Sequence, residues 1–156
     1  MHKVFGEKQI AEYCDRQGAY LIPYQNGKVA VVKTSKGYFL LGGGLEYNET
    51  HQECISREIL EEIGYTCCIK CHLCSAEMYT KHPTIGYFHP IQTYYVGHLL
   101  ERVSTPTDLD HQLCWIDLNQ LIGNMFVQMQ NWALEQLQNY LSRNSKSNNL
   151  VTNYYT

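Results

Sequence analysis

The sequence predicts an α/β domain, and three observations carry that prediction. Apolar, branched and aromatic runs stand at 19–24, 28–33, 38–41 and across 65–100. Two further stretches, 51–63 and about 125–141, repeat apolar residues at helical spacing. The chain has 156 residues, 44% of them hydrophobic, which is enough to bury one core without covalent staples.

Composition excludes several classes. Twelve basic against 15 acidic residues, a formal charge of -3, argues against a nucleic-acid polymer as partner and against a polybasic membrane anchor. No run approaches the roughly 18 apolar residues of a membrane span. The start, Met-His-Lys-Val-Phe-Gly-Glu, lacks the apolar stretch of a secretory signal. Seven cysteines, an odd number, do not suit a secreted disulfide scaffold, so a cytoplasmic location is expected, with most thiols packed as small hydrophobes.

Taken in order, Ala19–Tyr24 and Lys28–Lys33 flank Asn26-Gly27, a pair that tolerates positive φ and so predicts a hairpin turn. Pro23 places the first strand at an edge or ends it. Tyr38–Leu41 is a short strand running into Gly42-Gly43-Gly44. Thr50 is expected to cap a helix over 51–63, with Glu53 completing a capping box and Gly64 ending it. Ile55, Ile59 and Ile63 form its apolar stripe. A β-rich stretch follows from Tyr65 to Leu100, then a polar loop over 101–110 and a strand at Leu113–Ile116. Asp117 or Asn119 is expected to cap a short helix. A longer helix from about Met125 to Leu141 carries Phe126, Met129, Ala133, Leu137 and Leu141 at helical spacing, with Trp132 in the core. No repeat is visible. Residues 1–143 read as a single domain and 144–156 as a loose polar tail.

The informative chemistry lies between Gly43 and Tyr65. Glu58, Glu61 and Glu62 stand at i, i+3 and i+4, which puts three carboxylates on one helix face, roughly 110° from the isoleucine stripe. Like charges so close call for a compensating cation, and hard oxygen donors favour Mg²⁺ or Mn²⁺. Arg57 is placed to hold one carboxylate through a bidentate pair. The preceding glycines let backbone carbonyls approach the same cation. Taken alone, the cluster reads more simply as a solvated acidic face.

The full spacing changes that reading. Gly43, five residues, Glu49, seven residues, Arg57-Glu58-Ile59, Leu60, Glu61-Glu62, Ile63, Gly64-Tyr65 resembles the signature of the Nudix hydrolase family, G-x5-E-x7-R-E-U-x-E-E-x-G-U. All seven fixed letters match, an agreement expected by chance on the order of once in 10⁸ starting positions. Tyr65 fills the last apolar position, and Leu41 and Tyr47-Asn48 stand where the family often has Pro and Pro-Gly. The element order extends the resemblance over residues 4–141. It implies a Nudix fold, a mixed β-sheet sandwiched between helices, with the signature as loop-helix-loop.

The resemblance also implies a metal-assisted hydrolase that cleaves the phosphoanhydride bond of a nucleoside diphosphate linked to another group. The cofactor would be Mg²⁺, with Mn²⁺ as substitute. The substrate would be a small nucleotide-type molecule, and the implied partners include neither nucleic acid nor membrane, with room for a homodimer. Carried onto this chain, Glu58, Glu61 and Glu62 are the metal ligands, a Gly43 or Gly44 carbonyl joins them, and Arg57 orients the carboxylates. Glu49 braces the loop through a salt bridge. Glu58 is the preferred general base. An extra acidic ligand often precedes a Trp-containing strand in this family, which points to Asp108 or Asp110 ahead of Trp115; a solvated loop is the simpler reading of that pair.

Other features carry simpler readings. Cys68, Cys71 and Cys74, near Cys67 and His72, invite a zinc site, but alternate strand residues face opposite ways, and small apolar filler explains them better. Tyr79, Tyr87, Phe88, Tyr94 and Tyr95 are capable of base stacking, though sheet packing is commoner. His82, His89 and His111 are candidates to border a cleft, though a surface role is the simpler reading. A catalytically silent nucleotide sensor on the same fold is the competing function, and a zinc-dependent interaction protein a third.

Overall fold

The protein was analysed as a computed structural model that describes residues 1–152, with side chains through residue 146. The strands are β1 (His2–Phe5), β2 (Cys14–Gln25), β3 (Lys28–Thr34), β4 (Gly37–Phe39), β5 (Leu41–Gly44), β6 (Tyr65–Met78), β7 (Thr80–His82), β8 (Gly86–Arg102) and β9 (Gln112–Asp117). Three helices accompany them: α1 (His51–Ile63), α2 (Leu118–Leu121) and α3 (Gln128–Thr152). No helix among the described residues is long and apolar enough to cross a membrane.

The sheet is mixed, and β2 is its pivot. Residues Cys14–Pro23 run parallel to β8, and Gly18–Leu21 pair antiparallel with β5. Pro23 is the last residue paired with β8; Tyr24 and Gln25 then turn to pair with β3. Proline has no N–H to give a ladder, so it stands where the strand changes partners. Asn26 and Gly27 make the expected turn with φ of 52° and 79°. Outside β8 lie β6, antiparallel, and β1, parallel to β6. On the other side, β3 pairs with β4 and β9.

Helices cover both faces. Ala19, Leu21, Ala30 and Val32 pack with Ile55, Ile59 and Ile63 of α1. Their neighbours Ile22, Val29 and Val31 point the other way, towards Trp132, Ala133, Leu134 and Leu137 of α3. A strand residue and its neighbour face opposite sides, so a sheet covered twice demands unbroken apolar runs, which the Val-Ala-Val-Val of β3 supplies.

Three expectations need correction. Phe126 precedes α3, is 59% exposed, and lies with its ring 5.1 Å from that of Phe39. The start of α3 is shifted because Asn131 Oδ1 accepts from the N–H groups of Gly123 and Met125, folding 123–127 into a compact turn. The expected loose tail is helical as far as Thr152, and residues 153–156 lie outside the described residues. Ser142 and Ser145 donate their hydroxyls to the carbonyls of Gln138 and Leu141, so polar side chains continue the helix instead of breaking it. Asp117 stands before α2, but its side chain makes no capping bond.

The cysteines of β6 divide between the faces. Cys67 packs on the α1 side and Cys74 is buried on the α3 side, while Cys68 is exposed. Two register shifts lie between Ile69 and Cys74. The geometry disperses the thiols that a zinc site would have to gather.

Candidate active site between the second half of α1 and the glycine strand

The site is built where β5 meets α1. Thr50 Oγ1 accepts from Glu53 N at 3.2 Å and caps the helix; the return bond of a full capping box is absent among the described residues. Gly64 ends it in the left-handed region at φ 73°. Between these ends, Ile55, Ile59 and Ile63 anchor one side to the sheet and turn Glu58 and Glu62 towards the glycines of β5.

Two glycines are required there. Gly42 has φ 142°, and a Cβ on it would collide with the carbonyl oxygen of Ala19. Its N–H donates to Glu62 Oε1 at 2.9 Å. A Cβ on Gly43 would stand 2.6 Å from Glu58 Cδ. The missing side chain of Gly43 thus lets Glu58 lie directly against the strand, while that of Gly42 lets β5 lie close to β2.

Arg57 organises the acidic groups. Its Nε and Nη2 donate to the two oxygens of Glu49 at 2.7 and 2.8 Å, a fork that braces the loop as the sequence suggests. Nη1 donates to Glu58 Oε1 at 2.8 Å, and Nη2 also reaches the carbonyl of Gly44 at 3.1 Å. Glu61 Oε2 lies 3.5 Å from Nη1 on the more exposed side. Hydrogen bonds from Arg57 hold the Glu49 carboxyl down to about 2, and Glu49 in turn raises the guanidinium.

Glu58 and Glu62 behave in the opposite way. Burial raises the Glu58 pKa against the pull of Arg57, and the charges of Glu61 and Asp108 add to the rise. Burial pushes Glu62 well above the usual carboxylate range, against the bond from Gly42, and the charges of Glu58, Asp108 and Glu61 act the same way. The three glutamates read from sequence as one face therefore occupy three environments. Glu62 is buried, Glu58 is partly buried, and Glu61 reaches solvent.

The polar loop after β8 completes the wall. Glu61 O accepts from Thr107 N, Thr107 Oγ1 and Asp108 N, and Gly64 O accepts from Val103 N and Ser104 N. The last carbonyls of α1 thus tie the loop down and deliver His111 to Glu62. His111 Nδ1 lies 3.5 Å from Glu62 Oε2 and 3.4 Å from Asp108 Oδ2. That nitrogen is buried without a hydrogen-bond partner among the described residues, although the His111 side chain is 27% exposed. His111 borders the cavity, the alternative that the sequence left open beside a surface role. His89, by contrast, is buried and bonded through both ring nitrogens to Asp15 and Glu77. Asp108 sits close enough to Glu58 and Glu62 to disfavour their charges, whereas Asp110 Oδ2 accepts from Ser35 Oγ at 3.3 Å.

A cavity of about 360 Å³ opens beside this cluster, with Glu62, Gly42 and His111 on its wall and Tyr20, Phe39 and Gln130 further in. A larger hollow of about 580 Å³ lies at the start of α1 between His51 and Cys68, but no carboxylate lines it.

The donor chemistry fits a hard divalent cation. Glu58 Oε2 and Glu62 Oε2 are the carboxylate oxygens that Arg57 and Gly42 leave unbonded, and each belongs to an acid whose charge burial disfavours and a positive charge would relieve. Among the described residues no three acidic, histidine or cysteine side chains already form a closed shell, because Arg57 draws Glu58 and Glu61 towards itself.

Comparisons with known proteins agree with this architecture. No curated protein matches the chain. Among solved structures, a MutT NUDIX hydrolase from Burkholderia pseudomallei superposes with a TM-score of 0.66 at 21% identity, over 79% of this chain and 98% of that one. A MutT protein from Methanosarcina mazei Go1 gives 0.67 at 16% identity, over 83% and 97%. A UDP-X diphosphatase gives 0.62 at 18% identity, over 83% and 65%. The profile of the NUDIX domain matches residues 15–140, most of the chain, and the α/β sheet flanked by helices is the one that these structures share; the chain belongs to the Nudix family.

Proposed function

We propose that this chain hydrolyses the phosphoanhydride bond of a nucleoside diphosphate linked to another group, with Mg²⁺ or Mn²⁺ as cofactor. The observation that carries the proposal is the pair of carboxylates, partly buried Glu58 and buried Glu62, set against Gly43 and Gly42 beside a cavity. A UDP-X diphosphatase of the same fold supports the substrate class.

Glu58, Glu61 and Glu62 hold the cation, with the carbonyls of Gly43 and Gly44 at hand and Asp108 as the added acid in preference to Asp110. When bound, such a cation neutralises diphosphate charge and acidifies a coordinated water. The chain's own groups do the rest. Arg57 fixes Glu58 Oε1; Oε2 then serves the cation or, where Glu61 and Glu62 hold the cation, accepts a proton from the attacking water. Gly42 N holds Glu62 in place, and Glu49 keeps Arg57 from swinging away.

The test is a panel of nucleoside triphosphates, sugar nucleotides and dinucleotides, with and without Mg²⁺, with products identified so that the attacked phosphorus is known. Metal-dependent cleavage of an anhydride is expected. Tight nucleotide binding with no turnover in either metal would replace this reading with a silent sensor.

A further inference from the structure

We propose that the cavity beside Glu62 is a nucleobase subsite that selects bases bearing carbonyl oxygens, guanine and uracil, over adenine, and that Gln130 makes the selection. The inference rests on the nucleotide substrate of the preceding subsection and adds which nucleotide it is.

Gln130 on α3 is 1% exposed and lines the cavity. Its Oε1 accepts from Leu40 N at 2.8 Å. A backbone N–H only donates, so this bond fixes which end of the amide is oxygen. The Nε2 group has no acceptor among the described residues. Gln92 on β8, 9% exposed, also lines the cavity and is bonded to the Tyr94 hydroxyl at 2.6 Å, but a hydroxyl both donates and accepts, so this bond does not fix which end of the amide faces the cavity.

The Gln130 amide therefore spends its acceptor on the protein and keeps its donors for the cavity. A donor on a cavity wall is best met by a ligand that brings an acceptor. One oxygen of each carboxylate on the wall is engaged, Glu62 Oε1 with Gly42 N and Asp110 Oδ2 with Ser35 Oγ, and Glu62 Oε2 is reserved for the cation of the preceding subsection. Guanine offers O6 beside N7, and uracil offers O2 and O4. Adenine presents an amino group where guanine presents O6, and that group would face Nε2 donor to donor. Tyr20 and Phe39 supply flat apolar walls, and about 360 Å³ lies at the small end of ligand cavities, suited to a base rather than a whole dinucleotide.

The experiment measures binding of GMP, UMP and AMP to the full chain by calorimetry, alongside kcat/KM for GDP-, UDP- and ADP-glucose. At least one carbonyl-bearing base is expected to bind, and to be turned over, about tenfold or more better than adenine. In Gln130→Met that ratio should fall about tenfold. Partial unfolding lowers all three substrates together and leaves the ratio alone, so the ratio reads the amide. Equal handling of the three bases by the wild-type chain, or a ratio unmoved in Gln130→Met, overturns the subsite while leaving the hydrolase reading intact. Selective GMP or UMP binding with no cleavage supports the subsite and removes the hydrolase reading.

Discussion

Gly42 and Glu62 are joined by a single hydrogen bond of 2.9 Å that ties the glycine strand to the last turn of α1 and holds a buried carboxylate beside a cavity. An amide in place of the carboxylate keeps an oxygen for that bond and removes a charge that burial opposes. Glu62→Gln should therefore stay folded, with Tm unchanged or raised by about a few degrees, yet lose activity by about 100-fold or more. Calorimetric melting and single-substrate kinetics on the same preparation check both halves.

Glu49 gives a prediction in acid. Its carboxyl lies at about 2 in the fold against an ordinary 4.5. A lowered folded pKa means stability that is fully present above the ordinary value and is lost as pH falls towards the folded one. Urea midpoints of wild type and Glu49→Gln should therefore differ by a constant amount above about pH 4.5 and converge as pH falls towards 2. A gap that persists unchanged at pH 2 would contradict the Arg57 fork as its origin.

Arg57→Lys keeps the charge and loses the planar fork. One ammonium cannot reach both oxygens of Glu49, Glu58 Oε1 and the Gly44 carbonyl together, as the guanidinium does. We expect kcat to fall by about tenfold or more while KM moves little, since the lost contacts position Glu58 and do not line the cavity. Steady-state kinetics over a substrate series separates the two constants.

The glycine strand separates two kinds of damage. Gly42→Ala meets both an unfavourable φ and the Ala19 carbonyl, and should cost about 2 kcal/mol or more of folding stability. Gly43→Ala has no such φ and meets only the Glu58 carboxylate, whose side chain is able to shift. It should fold nearly as well as wild type and lose activity. Denaturant titration ranks the first effect and turnover the second.

Much of this site was legible because its main determinants are local. The Glu58–Glu61–Glu62 spacing, the isoleucine stripe, Thr50 and Gly64 all lie within one helix and its caps, and each is found where periodicity puts it. What periodicity could not express was depth: adjacent Glu61 and Glu62 differ from half-exposed to buried because only one of them points at β5. The approach of His111 to Glu62 was beyond reach for another reason. It is set by amides of Thr107 and Asp108 bonding a helix carbonyl, and every residue except proline offers the same amide. Gln130 gave no signal either, since its meaning lies in Leu40 N, ninety residues away in sequence. Phe126 fitted the helical spacing by coincidence, being held by Tyr38 O and the Phe39 ring ahead of the helix.

The tethering of 103–108 to Glu61 O and Gly64 O has a consequence for how such a domain changes over generations. Because main-chain groups hold the segment, side chains at most of its positions are free to drift without loosening the helix beneath. Sequence change could thus be sampled there at small risk to the acidic face of α1.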